Sequence, residues 1–167
     1  MKRRLKFLAV TALSAVALIS VALAAPFPVS AAGAMQISGI GFFAAPGECT
    51  DPEGEGSDLA LRMTGDLEGC LYIFVETAVC SPSSTYRETG TETFVGEDSG
   101  NDTFRTTYKF EAKYQDCANL VGEIFGRCQH AIVEDSGEGI YEGVTGRFDI
   151  KDDVEAGNFP YRGHLRW

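Results

Sequence analysis

The sequence predicts an all-β protein folded as an eight-stranded antiparallel up-and-down β-barrel. One observation is a long alternation of apolar and polar residues between positions 103 and 114, the pattern of a strand with one buried face. A second is the recurrence of about eight such runs, separated by turn-forming clusters. A third is that no segment of ten or more residues beyond position 32 has an apolar helical period with caps.

The clearest strand runs from Thr103 to Tyr114. Phe104, Tyr108 and Phe110 fall on one side of it, and charged or hydroxyl side chains fall on the other. Weaker runs, rich in Val, Ile, Thr and aromatic residues, occupy residues 35–43, 58–65, 70–79, 84–95, 125–133, 146–152 and 160–166. Clusters of Gly, Pro, Asp and Ser separate them and predict the turns.

The last of these runs, residues 160–166, can pair with the first and close the sheet. Closure leaves no exposed strand edge, so we expect a barrel. A two-sheet sandwich is the alternative for an all-β chain of this length.

Residues 1–32 have the layout of a cleaved signal peptide, with a basic start, an apolar run from Phe7 to Ala24 and a small-residue tract. A transmembrane anchor is the alternative for the apolar run, but Pro26 and Pro28 interrupt a helix just beyond it. We therefore expect one barrel domain over residues 33–167, secreted or periplasmic, with no membrane attachment after cleavage. The exact cleavage site stays open.

The remaining domain is strongly acidic. Four of the fourteen Lys and Arg residues, and none of the twenty-four Asp and Glu residues, precede position 33, so residues 33–167 have a formal charge of −14. Such a field repels phosphate backbones and anionic headgroups. Nucleic acid and anionic membranes are therefore not expected partners.

Five cysteines fall in the expected domain, and an exported protein keeps disulfides. Counting alone leaves one unpaired thiol and fifteen possible arrangements. An up-and-down barrel places alternate strand ends together, which predicts Cys49–Cys80 and Cys117–Cys128. Cys70, at the opposite end, is then the free thiol.

A glycine-rich stretch precedes the seventh run, with Gly137, Gly139, Tyr141, Gly143 and Gly146 in a Gly-x-Gly-x-aromatic-x-Gly-x-x-Gly pattern. A strand follows it rather than a helix, so it is a tight strand connection and not a phosphate-binding loop. We expect residues 140 and 141 to turn inward there. The pattern resembles the connection found in the allene oxide cyclase and dirigent barrels, and the segments 126–133 and 159–165 are similar to bacterial secreted relatives of that type.

The resemblance implies an eight-stranded barrel and does not fix an activity. We expect a secreted, non-catalytic barrel without a cofactor, binding a small hydrophobic, aromatic or phenolic ligand in its lumen. One alternative is a cyclase or isomerase that uses the shape of its cavity, as allene oxide cyclases do. Another is an oligomeric extracellular interaction protein that uses an exposed face of the barrel. In a further alternative the aromatic rings simply fill a packed barrel. No polar functional residue of either family matches a position here, so no catalytic residue is assigned.

The candidate lumen residues are mostly aromatic side chains on predicted strands. They are Tyr72, Phe74, Glu88, Phe104, Tyr108, Phe110 and Tyr141, with Phe148 as a further core or lining position. Glu76, Glu88 and Glu92 also lie on strands. Surface exposure is the favoured interpretation of these carboxylates, although an inward carboxyl would orient a ligand.

Metal binding is the other chemistry considered. Cys128 and His130 share one face of a strand, and His164 is a third potential ligand only if its strand lies nearby. A disulfide and a packed imidazole explain the same residues, so no metal site is expected. The acidic loops at 51–58 and 97–102 are explained by turn chemistry rather than calcium.

Overall fold

The computed structural model describes residues 33–50, 56–97 and 101–167, so the predicted signal peptide lies outside the described residues. Within these ranges no helix is long and apolar enough to cross a membrane. The strands are β1 (Met35–Phe43), β2 (Leu59–Gly65), β3 (Gly69–Cys80), β4 (Thr85–Gly96), β5 (Thr103–Asp116), β6 (Val121–Ile132), β7 (Thr145–Lys151) and β8 (Phe159–Arg166). One short 3₁₀ turn, Gly139–Tyr141, precedes β7.

Each strand pairs antiparallel with the next, and the sheet closes on itself. Closure is made by β1 and β8, in register from Met35 opposite Leu165 to Gly41 opposite Phe159. The predicted eight-stranded up-and-down barrel is therefore confirmed, and the sandwich is excluded.

The barrel is taller on one side than on the other, and we call the side formed by strands β3 to β6 the tall wall. Strands β3 to β6 are 12 to 14 residues long, whereas the other four are 7 to 9. The pairing of β2 with β3 starts at Leu59 opposite Ile73, so β3 continues seven residues beyond its neighbour, to Cys80. The extra height lies at the end where β3 meets β4 and β5 meets β6, and this end is the mouth of the barrel.

The opposite end is filled by stacked aromatic rings. Phe94 and Phe104 stack with their centroids 4.9 Å apart, and Tyr141 meets Phe104 edge-on at 5.0 Å. Leu67 and Val144, from the connections at this end, are fully buried beside them. The barrel is therefore plugged at one end by ordinary core packing.

The glycine-rich connection supplies part of this plug. A side chain at Gly137 would place its Cβ 1.9 Å from the carbonyl oxygen of Tyr141, and Gly139 has a φ of +62°, which favours glycine. The tight turn buries Tyr141 as predicted. The expectation for Ile140 is wrong, because its side chain is 67% exposed while its N–H donates to Asp102 Oδ1 at 3.0 Å.

The predicted cysteine pairing is also wrong. Cys49 bonds to Cys70, which was expected to be free. The prediction placed Cys49 at the mouth, but the β1–β2 connection folds back over the outer face of the sheet. There Tyr72 donates a hydrogen bond to the carbonyl of Thr50 at 2.7 Å, and Cys70 is buried on the same face.

The second disulfide joins Cys80, at the end of β3, to Cys117, in the β5–β6 turn. Both lie at the mouth on the tall wall. Cys128 is the free cysteine, buried on the inner face of β6. It was expected to pair with Cys117, but Cys128 sits opposite Phe110, well down the strand from that turn.

Tyr161 ties the plugged end together through its phenol. It receives a hydrogen bond from the Leu67 N–H at 2.7 Å and donates to the Thr64 carbonyl at 3.0 Å. We expect Tyr161→Phe to lower the free energy of unfolding by roughly 1–3 kcal/mol, because it leaves a buried N–H without an acceptor. Urea denaturation measures this, and a change below about 0.5 kcal/mol would contradict it.

Candidate functional site

The upper half of the barrel holds a cavity of about 460 Å³ that opens at the mouth. We call it the lumen cavity. Its apolar lining comes from Phe43, Leu59, Leu61, Ile73, Phe110, Leu120, Cys128, Ile150, Val154 and Phe159. Its polar lining comes from Tyr86, Glu88, Glu92, Tyr108, Tyr114, Glu123, His130, Asp152, Asp153 and Asn158. The cavity therefore combines apolar walls with a group of polar side chains that includes five carboxyls.

Two inward-facing glycines allow close packing next to the cavity. Gly90 faces inward between Glu88 and Glu92, and a Cβ there would lie 2.0 Å from the Phe74 carbonyl oxygen and 2.8 Å from the Tyr108 ring. Gly126 faces inward on β6, where a Cβ would lie 2.0 Å from Asp152 Oδ2. Side chains at these two positions would occupy the space now taken by a phenol and a carboxyl.

The floor of the cavity is a buried hydrogen-bonded pair. His130 Nδ1 lies 2.7 Å from Glu92 Oε2, and the two side chains are only 2% and 1% exposed. Thr106 donates its hydroxyl hydrogen to the same carboxyl. Phe148 stacks on the imidazole with parallel rings and a centroid distance of 4.4 Å, which fixes the orientation of the ring.

One nitrogen of the imidazole is left unmatched. Nδ1 of His130 is engaged by Glu92. Nε2 has no hydrogen-bond partner among the described residues. The floor therefore carries a buried polar ring atom that none of these residues satisfies.

Glu88 forms a second polar group higher in the cavity. Tyr108 donates to its Oε1 at 2.7 Å, and Tyr86 donates to its Oε2 at 2.5 Å. Burial first, and the hydrogen bond to Glu88 second, raise the pKa of both phenols. They therefore stay protonated and hold the Glu88 side chain in place as donors.

Two carboxyls sit together at the rim. Asp152 and Glu123 are hydrogen-bonded neighbours, and burial followed by Glu123 raises the pKa of Asp152 to about 7. Burial and the negative charges of Glu123, Asp152 and Glu88 raise the pKa of Tyr114 to about 12. The Tyr114 phenol therefore lies in the field of three carboxyls.

Cys128 lines the cavity beside this network. Burial, then the charge of Glu92, raises the pKa of its thiol far above the ordinary value. A thiol held in the protonated form is a poor nucleophile, so Cys128 acts here as a small apolar wall residue.

The predicted lumen residues divide into three groups. Glu88, Tyr108 and Phe110 line the cavity. Phe104 and Tyr141 lie inside the barrel but in the plugged half, where they pack into the core with Phe148. Tyr72 and Phe74 are wrong as lumen residues, because Leu71 and Ile73 are the inward members of β3 and the alternating positions face outward.

Sequence reasoning missed the buried acids. Glu92 was expected at the surface and is buried, while Glu76 is exposed as expected. The signal was present in the alternation, because Glu88 and Glu92 share the parity of the buried Phe94. Asp152 carried the same signal, because it shares the parity of the buried Phe148 and Ile150. Glu123 had none, because an irregularity in the pairing of β5 with β6 breaks the alternation between Glu123 and Phe125.

The metal hypothesis finds no support in the geometry. Cys128 and His130 do share the inner face of β6, but His164 alternates with the inward Tyr161 and Leu165 and so faces outward. Over the described ranges no group of three or more His, Cys, Asp or Glu side chains is placed to hold a metal ion.

The fold and the cavity together define a closed eight-stranded barrel with a lumen open at one end. No protein-family model, curated protein or solved structure matches the chain. The resemblance to allene oxide cyclase and dirigent barrels therefore stays a prediction.

Proposed function

We propose that this protein is a secreted or periplasmic barrel that binds a small, mainly apolar or aromatic ligand in the lumen cavity, without catalysing a reaction. The observation that carries the proposal is the cavity of about 460 Å³ behind the open mouth. Ligand sites are concave chambers of roughly 300–1,000 Å³ with apolar walls and a few placed polar groups. Both features describe this lumen.

A barrel of eight strands has just enough interior for its own side chains. Here the plugged half is filled in that way, whereas the upper half encloses the cavity of about 460 Å³. Side chains that line such a chamber lack packing partners on one side, and a bound ligand would provide them. The unfilled upper half of the barrel therefore supports ligand binding rather than a fully packed core.

Two features support the proposed compartment. The basic and apolar start of the chain has the pattern of an export signal. The two disulfides fit an oxidising compartment outside the cytoplasm. We infer that the barrel meets its ligand there.

The proposal is tested with N-phenyl-1-naphthylamine, a neutral aromatic probe whose fluorescence rises in apolar surroundings. We expect saturable binding by the wild-type protein. Leu59→Trp places a large ring in the cavity wall and should weaken binding by at least about tenfold, equivalent to roughly 1.4 kcal/mol. Fluorescence titration measures both constants.

Ile40→Trp is the matched control, because Ile40 is a β1 residue on the exposed outer face. This variant should bind the probe like the wild type. Saturable binding that Leu59→Trp leaves unchanged would place the probe elsewhere, and the absence of saturable binding would overturn the proposal.

A further inference from the structure

Carboxyl groups predominate among the ionisable side chains of the lumen cavity. Among the described residues, its lining contains five carboxyl side chains and the imidazole of His130, but neither Lys nor Arg. The five are Glu88, Glu92, Glu123, Asp152 and Asp153. All ten Lys and Arg residues of positions 33–167 therefore lie outside the cavity lining, in a domain of formal charge −14. Acid walls of low dielectric focus a negative potential into the chamber.

Aromatic rings border the same charges. Tyr86 lies edge-on to Phe110 and to Tyr114, with both centroid distances at 6.1 Å. Tyr86 donates to Glu88, and Tyr114 lies in the field of Glu123. We call Tyr86, Glu88, Phe110, Tyr114, Glu123 and Asp152 the acidic aromatic cluster. Ring faces and carboxylates are the two groups that hold organic cations in proteins.

The acidic aromatic cluster brings two carboxyls together at the rim. Asp152 and Glu123 are neighbours in a partly buried place, and a like-charged pair of this kind keeps one proton rather than ionising fully. Nearby basic side chains would relieve the repulsion, but none lines the cavity. A bound cation would supply the missing positive charge.

The floor of the cavity provides an independent observation that also indicates a polar ligand group. His130 is 98% buried, borders the cavity and has an Nε2 without any partner among the described residues. With Nδ1 engaged by Glu92, Nε2 is the ring nitrogen that a ligand group reaching the floor can contact. The cavity therefore offers several carboxyls and one unpartnered ring nitrogen, and its described lining contains neither Lys nor Arg.

We propose that the ligand of the lumen cavity is an organic ammonium compound with an apolar or aromatic body, its cationic group lying in the acidic aromatic cluster. The inference rests on the proposed lumen binding and adds the chemical class. An anionic ligand, such as a fatty-acid carboxylate, meets five carboxyls of its own sign and is disfavoured.

Three matched probes test the class: 4-phenylbutylamine, 4-phenylbutan-1-ol and 4-phenylbutyrate. They share one apolar body and carry a positive, a neutral and a negative end group near pH 8. We expect the amine to bind the wild-type protein at least about tenfold more tightly than the alcohol, the factor that one charge-assisted hydrogen bond contributes. The acid should bind most weakly. Amide chemical shifts in an NMR titration give the affinities and show whether the residues affected line the lumen.

The double variant Glu123→Gln, Asp152→Asn removes the rim charges while keeping the size of both side chains. We expect it to lose most of the preference for the amine and to bind the alcohol like the wild type. The matched control is Glu111→Gln, Asp149→Asn, which changes the same residue types on the outer wall, where Arg87 and Arg147 pair with them. The control should keep the preference.

The preference should also depend on pH. The rim pair is faced by Tyr114 from β5, by Cys128 on β6 and by Asp153 next to Asp152, and only Asp152 has a pKa raised to about 7. A carboxyl with a raised pKa is protonated below that value, so amine binding should tighten as the pH rises from 6 to 8. Alcohol binding should stay constant, and the double variant should lose the pH dependence of the amine.

The outcomes separate the two proposals. Lumen binding of the alcohol at least as tight as that of the amine overturns the ammonium inference and leaves lumen binding in place. Failure of all three probes, together with failure of the neutral naphthyl probe, overturns lumen binding itself. An amine preference that survives in the rim double variant would also contradict the assignment of the cationic site.

Discussion

Replacing Cys80 and Cys117 with alanine should lower the free energy of unfolding by about 4 kcal/mol, according to the loop-entropy relation. The bond closes a segment with a sequence separation of 37, so its removal gives the unfolded chain much additional conformational freedom. This is a large part of the stability expected for one domain, which is about 5–15 kcal/mol. Urea denaturation of the oxidised wild type and of the double variant measures the difference.

The second disulfide provides the comparison. Cys49 and Cys70 have a sequence separation of 21, so removing this bond should cost about 3 kcal/mol by the same relation. Cys128→Ala is the control for the loss of a cysteine without a bond. If the Cys80 and Cys117 double variant loses no more stability than Cys128→Ala, the result would contradict a disulfide between Cys80 and Cys117.

The strand order was predictable because each strand carries its own signal. The alternation of Phe104, Tyr108 and Phe110 with charged residues states which face is buried, and this face points into the barrel. The closing pair was predictable because β8 has the same alternation and nothing else remains to cover β1. A barrel can thus be predicted from the local alternation in each strand and from the need to pair the backbone groups of the two edge strands.

The disulfides were not predictable, because they depend on a connection and not on strands. Alternate strand ends lie at the same end of a barrel, so the β1–β2 connection was expected to stay at the mouth. In fact it returns along the outer face far enough for Thr50 to meet Tyr72, which brings Cys49 beside Cys70. Turn-forming residues indicate where the chain reverses direction, but they do not indicate which face of the sheet a long loop covers.

The site was only partly predictable, because its key contacts join residues far apart in sequence. Glu92 and His130 are 38 positions apart, and they meet because both lie one strand away from Thr106. The alternation along each strand places both side chains inward. Whether they lie at the same depth in the barrel depends on how β4, β5 and β6 align with one another. A buried carboxylate is also rare enough that the surface interpretation is the natural expectation from sequence.

The largest single-residue effects should come from this floor. Glu92→Leu leaves the Thr106 hydroxyl and His130 Nδ1 without their shared partner, and His130→Phe leaves a buried carboxyl with only Thr106. Each change should lower the free energy of unfolding by about 3–5 kcal/mol, the usual cost of breaking one half of a buried pair. Urea denaturation of both single variants and of the double variant gives the full cycle.

The double variant Glu92→Leu, His130→Phe should cost far less than the sum of the two, because an apolar pair of similar volume removes both unmet groups together. The exposed pair Arg147 and Asp149, on the neighbouring strand, is the control, and its cycle should give a coupling of about 0–1 kcal/mol. Single floor variants within about 1 kcal/mol of the wild type would contradict the pairing.

If an apolar pair can replace Glu92 and His130 with little loss in the free energy of unfolding, stability does not explain why the floor is polar. The proposed ligand supplies a reason, since Glu92 adds a buried carboxyl to a cavity whose described lining has neither Lys nor Arg. We therefore expect the apolar double variant to keep its fold, to bind 4-phenylbutan-1-ol about as well as the wild type and to lose affinity for 4-phenylbutylamine. Equal losses for both probes would instead make the pair a structural element of the lumen, because the neutral alcohol gains no ionic attraction from a carboxylate.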